Sequence, residues 1–232
     1  MGMQRAQKIL NSIFGYESFR HNQAEIIAEL LKGRDALALM PTGGGKSLCF
    51  QLPALMREGV TIVISPLIAL MRDQVRALQE AGVAAGALTS GNSPEENDAV
   101  FNALEKGNLK LLYIAPERLA SGSALGLLRR IGVSLIAVVE AHCVSQWGHD
   151  FRPDYLELGE VRSFLGNPTT LALTATATGR TPTILETARS AGKFETLLAA
   201  AKTAGACAGS SAVSRRPFRN DRAIRLRHNS SR

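Results

Sequence analysis

Six short apolar segments alternate with amphipathic stretches along the first 178 residues, and this alternation constrains the fold more than any other feature. The predicted strands are 36–40, 60–65, 83–88, 109–114, 133–139 and 169–174. The predicted helices are 22–32, 46–56, 67–81, 95–106 and 155–165. Several strands are apolar almost throughout, as in parallel sheets. The order predicts an α/β fold, a parallel sheet with helices on both faces, whose ligands bind beyond the carboxyl ends of the strands.

The composition is that of an ordinary globular protein. Of 232 residues, 45% are hydrophobic and 20% are charged. No apolar run reaches the roughly 18 residues of a membrane span, and the N-terminus lacks the apolar region of a secretory signal. Cys49, Cys143 and Cys207 are far apart, which indicates neither a zinc site nor a disulfide framework. We expect a cytoplasmic monomer with no membrane segment, associated with the nucleoid if its source is bacterial.

The positive charge lies near the C-terminus. The formal net charge is +7, and residues 180–232 hold 11 Lys and Arg against 3 Asp and Glu. The remaining residues are close to neutral, so the charge does not by itself indicate that the folded part binds nucleic acid.

A glycine-rich loop joins the first predicted strand to a helix, in the sequence LALMPTGGGKSLCF. Backbone N–H groups of glycines can wrap a phosphate, and a helix N-terminus favours its negative charge. The predicted phosphate loop consists of Thr42, Gly43, Gly44, Gly45, Lys46 and Ser47. Lys46 would reach the terminal phosphates, and the Ser47 hydroxyl would hold Mg²⁺. Met40 replaces the first glycine of the general pattern, and the alternative is a glycine-rich turn with a surface lysine.

The stretch FGYESFRHNQ precedes this loop. Tyr16 could stack on an adenine, and Gln23 could bond its edge. Spacing alone favours the alternative, an N-terminal helix that packs Phe14 and Phe19 into a core.

Three further polar stretches follow predicted strands: SPLIALMRDQV, TSGN and YIAPERL. Ser, Thr and Arg at strand ends suit contacts to a phosphodiester backbone. The alternative is ordinary helix capping, since Ser93 followed by Glu95 and Glu96 is typical of a helix start.

Together these motifs resemble the first RecA-like domain of RecQ-family DNA helicases, over about residues 5–178. The motifs, in order, are FGYESFRHNQ, MPTGGGKSLCFQLP, SPLIALMRDQV, YIAPERL, EAHCVSQWGHDFRPDY and LALTATAT. The resemblance implies ATP-driven, 3′-to-5′ unwinding of DNA in repair and recombination. It also implies ATP and Mg²⁺ as cofactors, and single-stranded or partly duplex DNA as the partner.

The resemblance assigns roles to individual residues. Tyr16, Arg20 and Gln23 match the adenine motif. Lys46 and Glu140 match the catalytic lysine and the carboxylate that orients the attacking water.

The same resemblance places DNA contacts in the loop 145–155. The residues that match its contacts to single-stranded DNA are Trp147, His149, Phe151 and Arg152. Aromatic faces and an arginine plane stack on bases without reading sequence, although core packing of Trp147 and Phe151 is the alternative. Thr174 and Thr176 match the motif that links the nucleotide site to DNA.

Val139 departs from the family, which has Asp at this position to hold Mg²⁺. Phosphoryl transfer depends on positioning and on metal neutralisation of developing charge. A valine cannot bind the ion, so we expect nucleotide binding to survive and hydrolysis to be impaired by orders of magnitude.

The region after Thr178 also departs from the family. We divide the chain into a RecA-like domain (1–178), a helical extension (179–205) and a disordered Arg/Ser-rich tail (206–232). The stretch 183–205 faintly resembles the start of a fasciclin-type domain. No signal of a second RecA-like domain follows, so we expect no unwinding by this chain alone. The alternatives are a non-enzymatic nucleotide- or DNA-binding module, a truncated pseudo-helicase, or an RNA helicase of the same superfamily.

Overall fold

Strands and helices alternate along the chain. The computed structural model describes residues 2–120, 122, 124–141, 157–175 and 212–216. Its strands are β1 (Asp35–Leu39), β2 (Val60–Ile64), β3 (Ala85–Leu88), β4 (Leu111–Ile114), β5 (Val133–Val139), β6 (Thr169–Thr174) and β7 (Ala212–Arg216). Its helices are α1 (Gly2–Phe14), α2 (Gln23–Leu31), α3 (Leu48–Met56), α4 (Ile68–Glu80), α5 (Pro94–Glu105), α6 (Pro116–Ala120), α7 (Leu125–Ile131) and α8 (Leu158–Phe164).

Six parallel strands form the sheet in the order β3-β4-β2-β5-β6-β1. All six predicted strands and all five predicted helices are confirmed, with bounds shifted by a few residues. Helices α6 and α7 are not predicted from the sequence, because five and seven residues give too short a run for a helical period. The expected parallel α/β fold is confirmed.

Alternate residues of the strands face opposite sides of the sheet, and helices cover both sides. On one side, Ile62 and Ile136 belong to a buried cluster that includes side chains of α5, α7 and α8. On the other side, Val63 and Ala137 pack with side chains of α2, α3 and α4. This double burial explains why most strand residues are apolar.

Helix α1 packs beside α2 and α3 around a smaller cluster. Leu10 of α1 and Leu52 of α3 are fully buried there, and Phe14 and Phe19 pack against the cluster. The N-terminal helix favoured by spacing alone is therefore present and ends at Phe14. Phe19 lies in the segment after this helix and packs against the same cluster.

Strand β7 lies antiparallel beside β1 at the edge of the sheet, pairing Leu39 with Ala212 and Asp35 with Arg216. At these five residues the structure differs from the expectation of a tail without regular structure. The edge of β1 offers unpaired backbone N–H and C=O groups, which an added strand can satisfy whatever its side chains. The other residues of 206–232, and the predicted helices within 183–205, lie outside the described residues. In the part of the chain that the structure describes, no helix is long and apolar enough to cross a membrane.

A buried ion pair fastens β1 and β6 to α8. Asp35 accepts hydrogen bonds from the Arg162 guanidinium and from the backbone N–H of Thr170, both at 2.7 Å. The two charged side chains are only 4% and 11% exposed. Removal of one member of such a pair leaves an uncompensated charge away from water.

We expect Asp35→Ala to lower the free energy of unfolding by about 3–5 kcal/mol, because Arg162 and the N–H of Thr170 would lose their partner. Urea denaturation would measure the change. Glu80→Ala is the matched control, since its pair with Arg76 is mostly exposed and is expected to contribute less than about 1 kcal/mol. Equal losses in the two variants would contradict this role for the buried pair.

Candidate functional site

The carboxyl ends of β1, β2, β5 and β6 bring several polar residues to one edge of the sheet. The loop 40–47 follows β1, and Glu140 follows β5 directly. Thr174, the last residue of β6, is buried, and its carbonyl accepts a hydrogen bond of 3.1 Å from the N–H of Met40. Residues that are far apart in sequence therefore meet at the position where parallel sheets bind ligands.

The glycine-rich loop has the backbone conformation that its sequence suggests. Gly43 and Gly45 have φ angles of 78° and 75°, a left-handed region that side chains disfavour. The N–H of Gly44 donates to the carbonyl of Pro41 at 3.0 Å, which closes the turn. Helix α3 begins immediately after Ser47, so its N-terminus faces the loop.

Gln23 ties the N-terminal region to this loop. Its amide Nε2 donates to the carbonyl of Gly45 at 2.9 Å, and its Oε1 accepts from the N–H of Arg20 at 2.8 Å. The residue is 2% exposed. Among the residues that the structure describes, no further partner uses the other N–H and the other lone pair of this amide. Gln23 therefore has a structural role that the sequence did not reveal, and it retains the groups needed to bond a base.

Tyr16 and Arg20 lie close to one another near this amide. The Arg20 guanidinium carbon is 5.7 Å from the centre of the Tyr16 ring, a cation–π arrangement, and Tyr16 is 48% exposed. The three residues of the predicted adenine motif are thus brought together.

A cleft of about 350 Å³ extends from these residues to the phosphate loop. Its lining residues are Phe14, Tyr16, Ser18, Arg20, Gln23, Gly43, Gly45, Ser47, Leu48, Gln51, Gln74, Ala77, Leu78 and Ala81. A volume of this size lies at the lower end of the range for small-molecule sites.

Lys46 and Glu140 face each other across the loop. Their Nζ and Oε1 atoms are 3.5 Å apart, and the side chains are 15% and 19% exposed. Glu140 has a φ angle of 52°, which is uncommon for a residue other than glycine. Such conformations often occur at functional positions. Both residues line a smaller cavity of about 70 Å³.

Val139 lines the same small cavity as Lys46 and Ser47. Its side chain is partly buried and packs against the apolar cluster below the loop. The described residues that line this cavity offer oxygens from the hydroxyls of Ser47, Ser65 and Tyr113, from the Gln74 amide and from the Glu140 carboxylate. Glu140 is the single carboxylate among them, and it is paired with Lys46. Among the described residues, no group of three or more His, Cys, Asp or Glu side chains could hold a metal ion. The residues present therefore fit a magnesium ion poorly.

Of the other predicted stretches, TSGN forms a loop after β3, whereas most of SPLIALMRDQV and YIAPERL belongs to α4, β4 and α6. Thr89 donates to the side chain of Asn92 at 2.6 Å, and Arg72 donates to the carbonyl of Gly91 at 2.9 Å. Ser93 and Glu96 form a capping box at the start of α5, which confirms the helix-capping interpretation there. The predicted DNA contacts Trp147, His149, Phe151 and Arg152, together with Thr176, lie outside the described residues.

Three residues line the two cavities although sequence reasoning assigned them no individual role: Gln51, Gln74 and Tyr113. Each lies within one of the motifs quoted above. Burial raises the pKa of the Tyr113 hydroxyl well above its ordinary value. Burial also raises the pKa of the neighbouring Cys49 thiol to about 12, so this cysteine is not a nucleophile at neutral pH. The sequence offered one signal for Gln51, which stands one helical turn after Ser47 and so points to the same side of α3.

The comparisons with known proteins agree with this geometry. The family model described as DEAD/DEAH box helicase matches residues 20–185. The ATP-dependent DNA helicase RecQ of Pasteurella multocida (strain Pm70) is 49% identical over 178 residues, which are 77% of this chain and 28% of the relative. The protein of the same name from Bacillus subtilis (strain 168) is 52% identical over 178 residues, 76% of this chain and 30% of the relative. The chain thus spans about three-tenths of the length of these relatives.

Solved structures confirm the RecA-like helicase fold at lower identity. The DUF1998 helicase MrfA bound to DNA has a TM-score of 0.62 at 21% identity, over 77% of this chain and 25% of that one. A hypothetical ATP-dependent RNA helicase from Sulfolobus tokodaii has a TM-score of 0.58 at 17% identity, over 79% of this chain and 54% of that one.

We expect Gly45→Ala to destabilise the protein more than Gly82→Ala, by at least about 1 kcal/mol of unfolding free energy. The two glycines have almost the same positive φ, but a Cβ at Gly45 would collide with the Gln23 amide, whereas a Cβ at Gly82 would meet nothing within 4 Å. The Gly82 variant therefore reports the backbone strain alone. Thermal or urea unfolding of both variants would measure the difference, and equal losses would show that the contact with Gln23 is unimportant.

Proposed function

The chain belongs to the DEAD/DEAH box helicase family, and from that premise we propose that it binds ATP as the N-terminal domain of a RecQ-like DNA helicase. The observation that carries the proposal is the convergence of the phosphate loop, Lys46 and Glu140 at the carboxyl edge of the sheet. The similar RecQ proteins are named ATP-dependent DNA helicases. A non-enzymatic binding module is the alternative if turnover proves to be absent.

The nucleotide is proposed to lie along the larger cleft. Its base would stack on the exposed ring of Tyr16, beside the Arg20 guanidinium, and would bond the remaining N–H and lone pair of Gln23. Its phosphates would be held by the backbone N–H groups of the loop and by the N-terminus of α3. The cleft joins these two ends, which supports one ligand with a planar base and an anionic tail.

Lys46 and Glu140 are the proposed catalytic residues. Lys46 is near enough to Glu140 to pair with it and lies in the loop that would hold the phosphates, so it can exchange the carboxylate for a terminal phosphate. Glu140 would then be available to orient a water molecule for attack.

Hydrolysis is proposed to be impaired because of Val139. Magnesium supplies neutralisation of phosphate charge in enzymes of this kind. Among the described residues of the cavity, the single carboxylate is Glu140, which is paired with Lys46. If Glu140 turned to bind the ion, it would no longer orient water. We therefore propose that nucleotide binding is retained and that turnover is low.

Single-stranded or partly duplex DNA is the proposed partner. About half of the residues are identical to those of RecQ proteins named DNA helicases, which favours DNA over RNA. Trp147, His149, Phe151 and Arg152 are the proposed contacts, and Thr174 and Thr176 are the proposed link to the nucleotide.

We expect Lys46→Ala to weaken binding of a fluorescent ATP analogue at least tenfold, because it removes a charge-assisted bond to the phosphates. Equilibrium titration would measure the dissociation constant. Lys106→Ala is the control, since Lys106 caps the C-terminal end of α5 and lines neither the cleft nor the small cavity. Unchanged affinity in the Lys46 variant would refute the phosphate loop.

We expect Val139→Asp to raise the rate of phosphate release from ATP by at least about tenfold, because a carboxylate would add the missing ligand for Mg²⁺. The assay would compare release with and without single-stranded DNA. Val139→Asn is the matched control, because asparagine has nearly the same shape as aspartate and carries no charge. We expect this variant not to restore turnover. Robust DNA-stimulated hydrolysis by the chain with Val139 would contradict the proposed impairment.

A further inference from the structure

Two residues line both the larger cleft and the smaller cavity: Ser47 and Gln74. Ser47 ends the phosphate loop, whereas Gln74 lies in the middle of α4. Gln74 belongs to the stretch SPLIALMRDQV, for which the sequence suggests contacts to a phosphodiester backbone and none to the nucleotide. The side chain of Gln74 therefore stands at the boundary between the space proposed for the base and sugar and the space beside Lys46 and Glu140.

The orientation of Gln74 is fixed by Gln51 of α3. The Gln51 Nε2 donates to Gln74 Oε1 at 2.8 Å and to the Tyr113 hydroxyl at 3.2 Å. Both N–H groups of the Gln51 amide are thereby used, and Gln51 is buried. Because Gln74 gives its oxygen to Gln51, its NH₂ group is the part of the amide that is left to bind a ligand.

The NH₂ group of Gln74 donates no hydrogen bond to any of the residues that the structure describes. One side of its amide is held by a buried neighbour and the other side borders two cavities next to Ser47. This arrangement presents two hydrogen-bond donors toward a ligand with acceptor oxygens.

We propose that Gln74 is a nucleotide-contacting residue that donates to oxygens of the phosphate chain, with Gln51 as the residue that positions it. This inference rests on the proposed binding of ATP. It adds a contact from α4 to a site otherwise built from the N-terminal region, the phosphate loop and the end of β5. Helix α4 also carries Arg72, which holds the loop after β3 through Gly91, so the nucleotide would contact the helix that orders this loop.

The test is the affinity of Gln74→Met for a non-hydrolysable ATP analogue and for ADP, measured by calorimetry. Methionine has a similar volume and no donor, so we expect a loss of about tenfold in affinity for both nucleotides. Gln74→Glu is expected to lose more, since its carboxylate would repel the phosphates. Gln79→Met is the matched control: Gln79 lies on the same helix, bonds the carbonyl of Ala85 and lines neither cavity.

The double variant Gln51→Met/Gln74→Met separates positioning from packing. If Gln51 acts through Gln74, the double variant should bind the analogue no more weakly than Gln74→Met alone. Weaker binding by the double variant than by Gln74→Met alone would overturn the positioning role of Gln51. Unchanged affinity in a folded Gln74→Met variant would overturn the contact, and Gln74→Asn, which keeps the amide but retracts it, gives the same test if the methionine variant does not fold. An unaltered chain that binds no nucleotide would instead refute the proposed function itself.

Discussion

The burial of the parallel sheet on both faces is the constraint on which the rest of this structure depends. Strands covered on both sides cannot carry polar side chains along their length, and β2 and β5 contain almost none. Polar groups that bind or react are therefore confined to the strand ends and the loops that follow. Because the six strands are parallel, those ends lie at one edge, and residues as distant in sequence as Gln23 and Glu140 border the same site.

Much of this arrangement is readable from the sequence, for reasons that differ between elements. The apolar run 133–139 predicts β5 with its exact bounds, since length and burial both agree. The glycines before Lys46 predict the turn because few residues accept positive φ. The pairing of Gln51, Gln74 and Tyr113 was not predictable, because three elements distant in sequence must pack before these side chains meet. Strand β7 was not predicted either, because it pairs with β1, which lies more than 170 residues earlier in the chain.

The proposed function separates nucleotide binding from nucleotide hydrolysis at the position of Val139. In the proposed function, the nucleotide is held by the loop, the cleft and the bond to Gln23. The valine alters only the small cavity beside Ser47, where charge would have to be neutralised during hydrolysis. We expect the fold to tolerate valine at position 139, because this side chain lies at the end of a buried strand and packs against the apolar cluster beneath it.

The bond from Gln23 to the carbonyl of Gly45 has a mechanical consequence. The amide that faces the proposed base also donates to the carbonyl of Gly45, in the loop proposed for the phosphates. The oxygen of this amide accepts a hydrogen bond from the backbone N–H of Arg20. A base that draws on Gln23 must therefore shift or stiffen the loop, and a phosphate that moves the loop must pull on the base site. The proposed base site and the proposed phosphate site are therefore coupled through Gln23. We expect this domain to respond to the base and the phosphates of a nucleotide together.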